Sequence, residues 1–124
     1  MKHRRGESLK TASFFTYQGL GRISIARFGH RGTKGHRGYR RYPALAPRQD
    51  MLRMPYEQYR AEYFRILEAL DPERVVEDLA TLAEPYEPVL LCWERPPLTA
   101  SNWCHRAMVS QWLQDKLGMT VREI

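Results

Sequence analysis

The sequence predicts an α/β fold, a single three-layer Rossmann-like domain with a mainly parallel sheet. Three patterns point there. Residues 89–93, VLLCW, form an unbroken apolar run of the kind shown by a strand covered on both faces. Two helical stripes precede this run and a third follows it, with an apolar segment closing the chain, so strands and helices alternate. The length of 124 residues, 43% hydrophobic and 27% charged, provides one core and no room for a second domain.

Residues 1–12 read as a basic N-terminal tail and 13–124 as the domain. Residues 13–17 and 22–27 are rich in β-branched and aromatic side chains and are separated by QGLG, which predicts two strands about a turn. Residues 28–42 form a Gly/Arg/His-rich loop, with glycine at 29, 32, 35 and 38. That spacing argues against helix and regular strand. From 56 to 70 the apolar positions Tyr56, Tyr59, Tyr63, Ile66, Leu67 and Leu70 line one helical face. Asp71, Pro72 and Glu73 then signal a second helix start: a capping carboxylate, a proline preset for the first turn, and an acid at the positive dipole end. This helix should run to Ala83, before Pro85 and Pro88. Ser101 or Asn102 can cap a last helix carrying Met108, Val109, Trp112, Leu113 and Leu117 inward, with Gly118 as its left-handed terminator. Residues 119–124 should close the sheet.

Charge is unevenly placed. Residues 1–50 hold twelve Lys or Arg against two acids, a net +10, whereas residues 51–124 hold eight against twelve, a net −4. Arg31, Lys34, Arg37, Arg40 and Arg41 project from the glycine-rich loop with Tyr39 and Tyr42 available to stack, a composition that suits a nucleic-acid backbone or another polyanion. No apolar run reaches 18 residues and the basic N-terminus lacks the apolar stretch of a signal peptide. A cytoplasmic protein without a membrane partner is the expectation, and a reducing compartment suits its two cysteines.

Ligands of open parallel sheets bind beyond the carboxyl ends of the strands. Glu94 ends the apolar run, and Cys104, His105 and Arg106 open the next helix, where a thiol loses its proton more readily. Each has two readings. Cys104 is a nucleophile or an inert packed thiol; His105 is an acid–base group, a phosphate donor or a cap. Arg106 holds a phosphate or pairs with an acid such as Glu94, and Glu94 itself is catalytic or a structural ion-pair partner. The residue six beyond Cys104 is Ser110, not the arginine of a cysteine phosphatase loop, and no GxxxxGK[ST] loop occurs. Cys92, Cys104 and His105 lack the close paired spacings of a zinc site, so neither metal nor cofactor is expected.

The segments SIAR (24–27), YPALAP (42–47) with Asp50, DPERVVEDL (71–79), and LLCWE (90–94) followed by CHR (104–106) resemble the bacterial and archaeal family catalogued as domain of unknown function 488. The resemblance covers roughly residues 13–124. It implies a small Rossmann-like domain with a site drawn from Arg27, Glu94, Cys104, His105 and Arg106, and it bears on fold more than on activity. The loop between SIAR and YPALAP is more basic than the family suggests, which favours a polymer as substrate.

Two functions follow as expectations. One is an enzyme acting on a base or nucleotide, of glycosylase type. In it the basic loop engages phosphates, Tyr17, Tyr39, Trp93 or Trp103 stacks on a base, and Glu94 or Asp50 activates water. His105 and Arg106 would hold the flanking phosphate. The alternative is a non-catalytic module binding nucleic acid or a phosphate ligand, and a contact to an acidic protein is a third, plainer reading.

Overall fold

The computed structural model describes residues 8–27, 39–94, 98–99 and 101–124. Eight regular elements follow along the chain: β1 (Lys10–Ser13), β2 (Arg22–Ser24), β3 (Arg40–Arg41), α1 (Tyr56–Glu68), α2 (Pro72–Ala83), β4 (Val89–Cys92), α3 (His105–Leu117) and β5 (Arg122–Glu123). Short 3-10 turns at Pro43–Leu45 and Gln49–Arg53 lie between β3 and α1. The five strands form one parallel sheet in the order β3-β2-β4-β1-β5, the architecture of a small Rossmann-like α/β domain. As its apolar run implies, β4 is central and buried along its whole length.

The strand order explains how the layers are filled. The connection through α1 and α2 carries the chain from β3 to β4, and α3 carries it from β4 to β5, both in the same direction across the sheet. Right-handed crossovers in one direction put their helices on one face. Accordingly Tyr63 and Leu67 of α1, Val76 and Leu79 of α2, and Val109, Trp112 and Leu113 of α3 join Ile23 and Leu90 in one core. The step from β1 back to β2 runs the opposite way and has no helix. Phe14 and Tyr17 from that connection, with Tyr39, Trp93 and Leu98, cover Ala12, Val89 and Leu91 on the other side. Among the described residues this side is thus covered by loop side chains, mostly aromatic.

Helix boundaries agree closely with local chemistry. Asp71 caps α2, its Oδ1 accepting from the Glu73 amide at 3.1 Å. Gly118 ends α3 at φ 66°, its amide donating to the Gln114 carbonyl. The cap of α3 is Cys104, not Ser101 or Asn102. Those two residues instead close a turn on Thr99, whose Oγ1 accepts from both of their amides. The first strand also differs: it begins inside the expected tail and stops at Ser13, not Tyr17. Ser13 explains the stop, because its carbonyl accepts from the amides of Thr16 and Tyr17 and its hydroxyl from that of Phe15. A local turn outweighs the β-propensity of two phenylalanines. β2 is short, although the Ile25 amide still reaches the Leu91 carbonyl at 3.1 Å.

Two glycines carry the backbone where side chains would not go. A Cβ at Gly118 would meet nothing, so Gly118→Ala should lose only the cost of a left-handed residue, about 1 kcal/mol in urea denaturation. Gly21 has φ 81° and lies against the Glu87 carbonyl, so Gly21→Ala should cost clearly more than Gly118→Ala in the same assay.

Candidate functional site at the carboxyl end of the sheet

The carboxyl ends of β2 and β4 open into a cavity of about 270 Å³. Its chemistry comes from six side chains: Arg27 after β2, Tyr59 on α1, Trp93 and Glu94 after β4, Trp103 before α3, and His105 on the first turn of α3. Trp103 packs on Tyr59 with ring centroids 4.5 Å apart, and Tyr59 stacks on Tyr63, giving one aromatic wall. Trp93 forms part of the lining and packs on Phe14 behind it. Glu94 is half-buried. Burial raises its carboxyl above the usual range, opposed by the charge of Arg106. Burial, and secondly the charge of Glu94, push the Tyr59 hydroxyl up.

His105 is held in one orientation. Its Nε2 lies 2.7 Å from the Ile25 carbonyl, which can only accept, so Nε2 carries the hydrogen and Nδ1 the lone pair. Nδ1 lies 3.7 Å from Cys104 Sγ. Burial lowers His105 to about 4, with Arg106 adding to the fall and the Ile25 bond opposing it, so the imidazole is neutral at pH 7.

Arg106 has a different role from the phosphate grip expected of it. It is 0% exposed, out of reach of a ligand. Its Nε and Nη2 bond Glu123 at 2.9 and 2.8 Å, Nη2 also donates to the Glu94 carbonyl at 2.7 Å, and Nη1 donates to Cys92 Sγ at 3.3 Å. The acid paired with Arg106 is therefore Glu123 on β5, not Glu94.

Cys92 and Cys104 are joined as a disulfide, not held as the two reduced thiols expected, so Cys104 carries no free thiol here and cannot act as a nucleophile without reduction. The fold also gathers what the spacing kept apart. The ligand atoms of Cys92, Cys104 and His105 lie within 4.8 Å of one another. The three residues, which lack the close paired spacings of a zinc site in the chain, are brought together because the sheet sets the end of β4 beside the start of α3.

The other candidates lie elsewhere. Asp50 is exposed and paired with Arg48 at 3.0 Å, away from the cavity lining. Tyr17 bonds the Leu20 carbonyl, and Tyr39 packs edge-on to Phe14, both in the second-face cluster. Arg40 and Arg41 are exposed on β3, with Arg41 Nη2 reaching the Arg27 carbonyl at 3.4 Å. Arg31, Lys34 and Arg37 lie outside the described residues. Tyr59 and Glu123 are the residues that sequence reasoning missed. Tyr59 sits in the apolar stripe of α1 and reads as core, and nothing near Glu123 in the chain marks it as the partner of a buried arginine.

Glu123→Ala would leave the Arg106 cation buried without its carboxylate. An equilibrium loss of about 2–3 kcal/mol in urea unfolding is expected, with Glu123→Asp losing less. No family model, no curated protein and no solved structure matches this chain.

Proposed function

We propose that the chain is related to the domain of unknown function 488 family and is a cytoplasmic enzyme acting hydrolytically on a base or nucleotide, free or within nucleic acid. One observation carries this reading: the cavity joins three aromatic rings, one half-buried carboxyl group and one arginine at the carboxyl end of a parallel sheet. Flat aromatic walls favour a flat ligand, and about 270 Å³ lies near the small end of ligand sites, which suits a base or nucleoside. Trp93 and Trp103 would stack on the base and Arg27 would meet a phosphate. Glu94 would exchange a proton with the leaving group or with attacking water, the burial that raises its carboxyl favouring the protonated form. The exposed Arg40 and Arg41 would follow the adjoining backbone. No helix among the described residues is long and apolar enough to cross a membrane.

A specific observation favours the second reading, a binding module without turnover. Glu94 is the one carboxylate among the described residues lining the cavity, since Asp50 stands apart, and glycoside hydrolysis ordinarily employs two.

Incubation of the protein with modified and unmodified DNA, RNA and free nucleotides, read by mass spectrometry, separates the two. Under the enzyme reading a base or altered nucleotide is released, and Glu94→Gln lowers turnover by on the order of 100-fold or more while tryptophan quenching shows binding within about threefold. Quenching with no product across the panel would assign the module. Neutralising Arg40 and Arg41 together should flatten the slope of log affinity against log salt by about 1 for each phosphate no longer neutralised, leaving turnover of a free nucleotide unchanged.

A further inference from the structure

We propose that Cys92, Cys104 and His105, with both cysteines reduced, form a binding site for a zinc-class divalent metal ion whose fourth position opens into the cavity beside Glu94. The site stands on geometry that is independent of whether the cavity turns over a base. Three residues from two elements converge: Cys92 ends β4, Cys104 caps α3 and His105 begins it. All three are interior, at 1%, 1% and 6% exposure, and their ligand atoms lie within 4.8 Å of one another. A tetrahedral zinc ion with bonds of about 2.3 Å to sulfur and 2.0–2.1 Å to nitrogen sets its ligand atoms roughly 3.5–3.8 Å apart. The Cys104 Sγ to His105 Nδ1 distance of 3.7 Å falls in that interval, and the two sulfurs, bonded to each other in this structure, would have to separate to it on reduction.

The surroundings suit a metal ion once the disulfide is reduced. The two Cα atoms are 7.1 Å apart, a separation that lets two free thiolates share one ion. His105 donates Nε2–H to the Ile25 carbonyl and directs its Nδ1 lone pair toward the sulfurs, the carbonyl–histidine arrangement that commonly orients a ligating imidazole. Arg106 Nη1 donates to Cys92 Sγ, a contact that favours thiolate. Binding would release one proton from each thiol, and two thiolates with a neutral imidazole cancel the charge of the dication, so the cluster would add no net charge beside the Arg106–Glu123 pair. Cys92 and His105 line the cavity that Glu94 also lines, and Cys104 lines a neighbouring pocket. An open fourth position would be reached from that cavity. Two cysteines, one histidine and an open position make a catalytic rather than a purely structural set, in which a bound water is acidified toward neutrality.

The full chain, purified in a phosphine reductant and freed of metal by a chelator, is titrated with Co²⁺ and then with Zn²⁺. About one equivalent of Co²⁺ should bind, with sulfur-to-cobalt charge-transfer absorption and the strong visible bands of tetrahedral coordination, and Zn²⁺ should displace it. Thiol reagent should modify both cysteines of the apo chain at least tenfold faster than those of the zinc-loaded chain. Cys92→Ser, Cys104→Ser and His105→Gln, each confirmed folded by circular dichroism, should each weaken Co²⁺ binding at least tenfold. Two results would overturn the site. One is a reduced, folded wild-type chain that takes up neither ion at micromolar concentration, which would leave a plain dithiol–disulfide pair. The other is a folded His105→Gln chain with unchanged cobalt spectrum and affinity. The wild-type titration decides the matter even where a variant does not fold.

Discussion

A single buried cation organises this fold. Arg106 places a guanidinium in the interior, where an unpaired charge would cost several kcal/mol, and the chain around it is arranged to supply acceptors. Glu123 brings β5 to it with two carboxylate oxygens, the Glu94 carbonyl brings the chain just after β4, and the first turn of α3 supplies the arginine itself. Glu123 also accepts from the Thr11 hydroxyl of β1, so one carboxylate ties the edge strand to its neighbour and to the helix that crosses over it. β5 has only two residues in the ladder. Without the pair, little beyond those backbone bonds would fix its place.

The same cation sets what the site can offer. Successive helical residues point about 100° apart, so the three residues of the CHR segment cannot all face one ligand. Arg106 turns inward to Glu123, which commits His105 to the Ile25 carbonyl and the cavity side, and leaves Cys104 at the cap against Cys92. Arg106 takes the backbone carbonyl of Glu94, and among the described residues no ion pair engages the carboxyl group of Glu94. Its proton balance is then decided by burial first and by the nearby positive charge second.

What could be read from the chain was local. The stripe of α1, the Asp71–Pro72 start of α2 and the Gly118 stop of α3 depend on residues within a turn or two of one another, and all three stand in the structure. The central place of β4 was legible for a similar reason, since a strand buried on both faces shows its burial in its own composition. Where a small polar side chain competed for the backbone, the pattern misled: Ser13 turns the chain under Phe14 and Phe15, and Thr99 draws Ser101 and Asn102 away from capping α3. The site was half legible. Glu94 and His105 were placed at this crevice because ligands bind beyond the carboxyl ends of parallel strands, Arg27 was named from the family resemblance and Trp93 and Trp103 from the expected base contact, and all five line one cavity. Glu123 as the partner of Arg106, 17 residues away, was not found, because nothing in the spacing of distant residues fixes where the sheet returns them.

The cysteines show how far a spacing argument reaches. A zinc motif read from sequence assumes that close ligands are close in the chain, as on a knuckle or a single helix turn. Here a parallel sheet sets the distance: β4 ends and α3 begins at the same edge, so two cysteines separated by twelve residues meet in the interior beneath the crevice. The crossover geometry that puts all three helices on one face also leaves that crevice bordered by the loop aromatics of the other. Trp93 shows the join: it packs on Phe14 in the second-face layer while lining the cavity beside His105. The direction of the crossovers thus determines both which side is helical and where an aromatic wall meets the cluster of sulfur and imidazole.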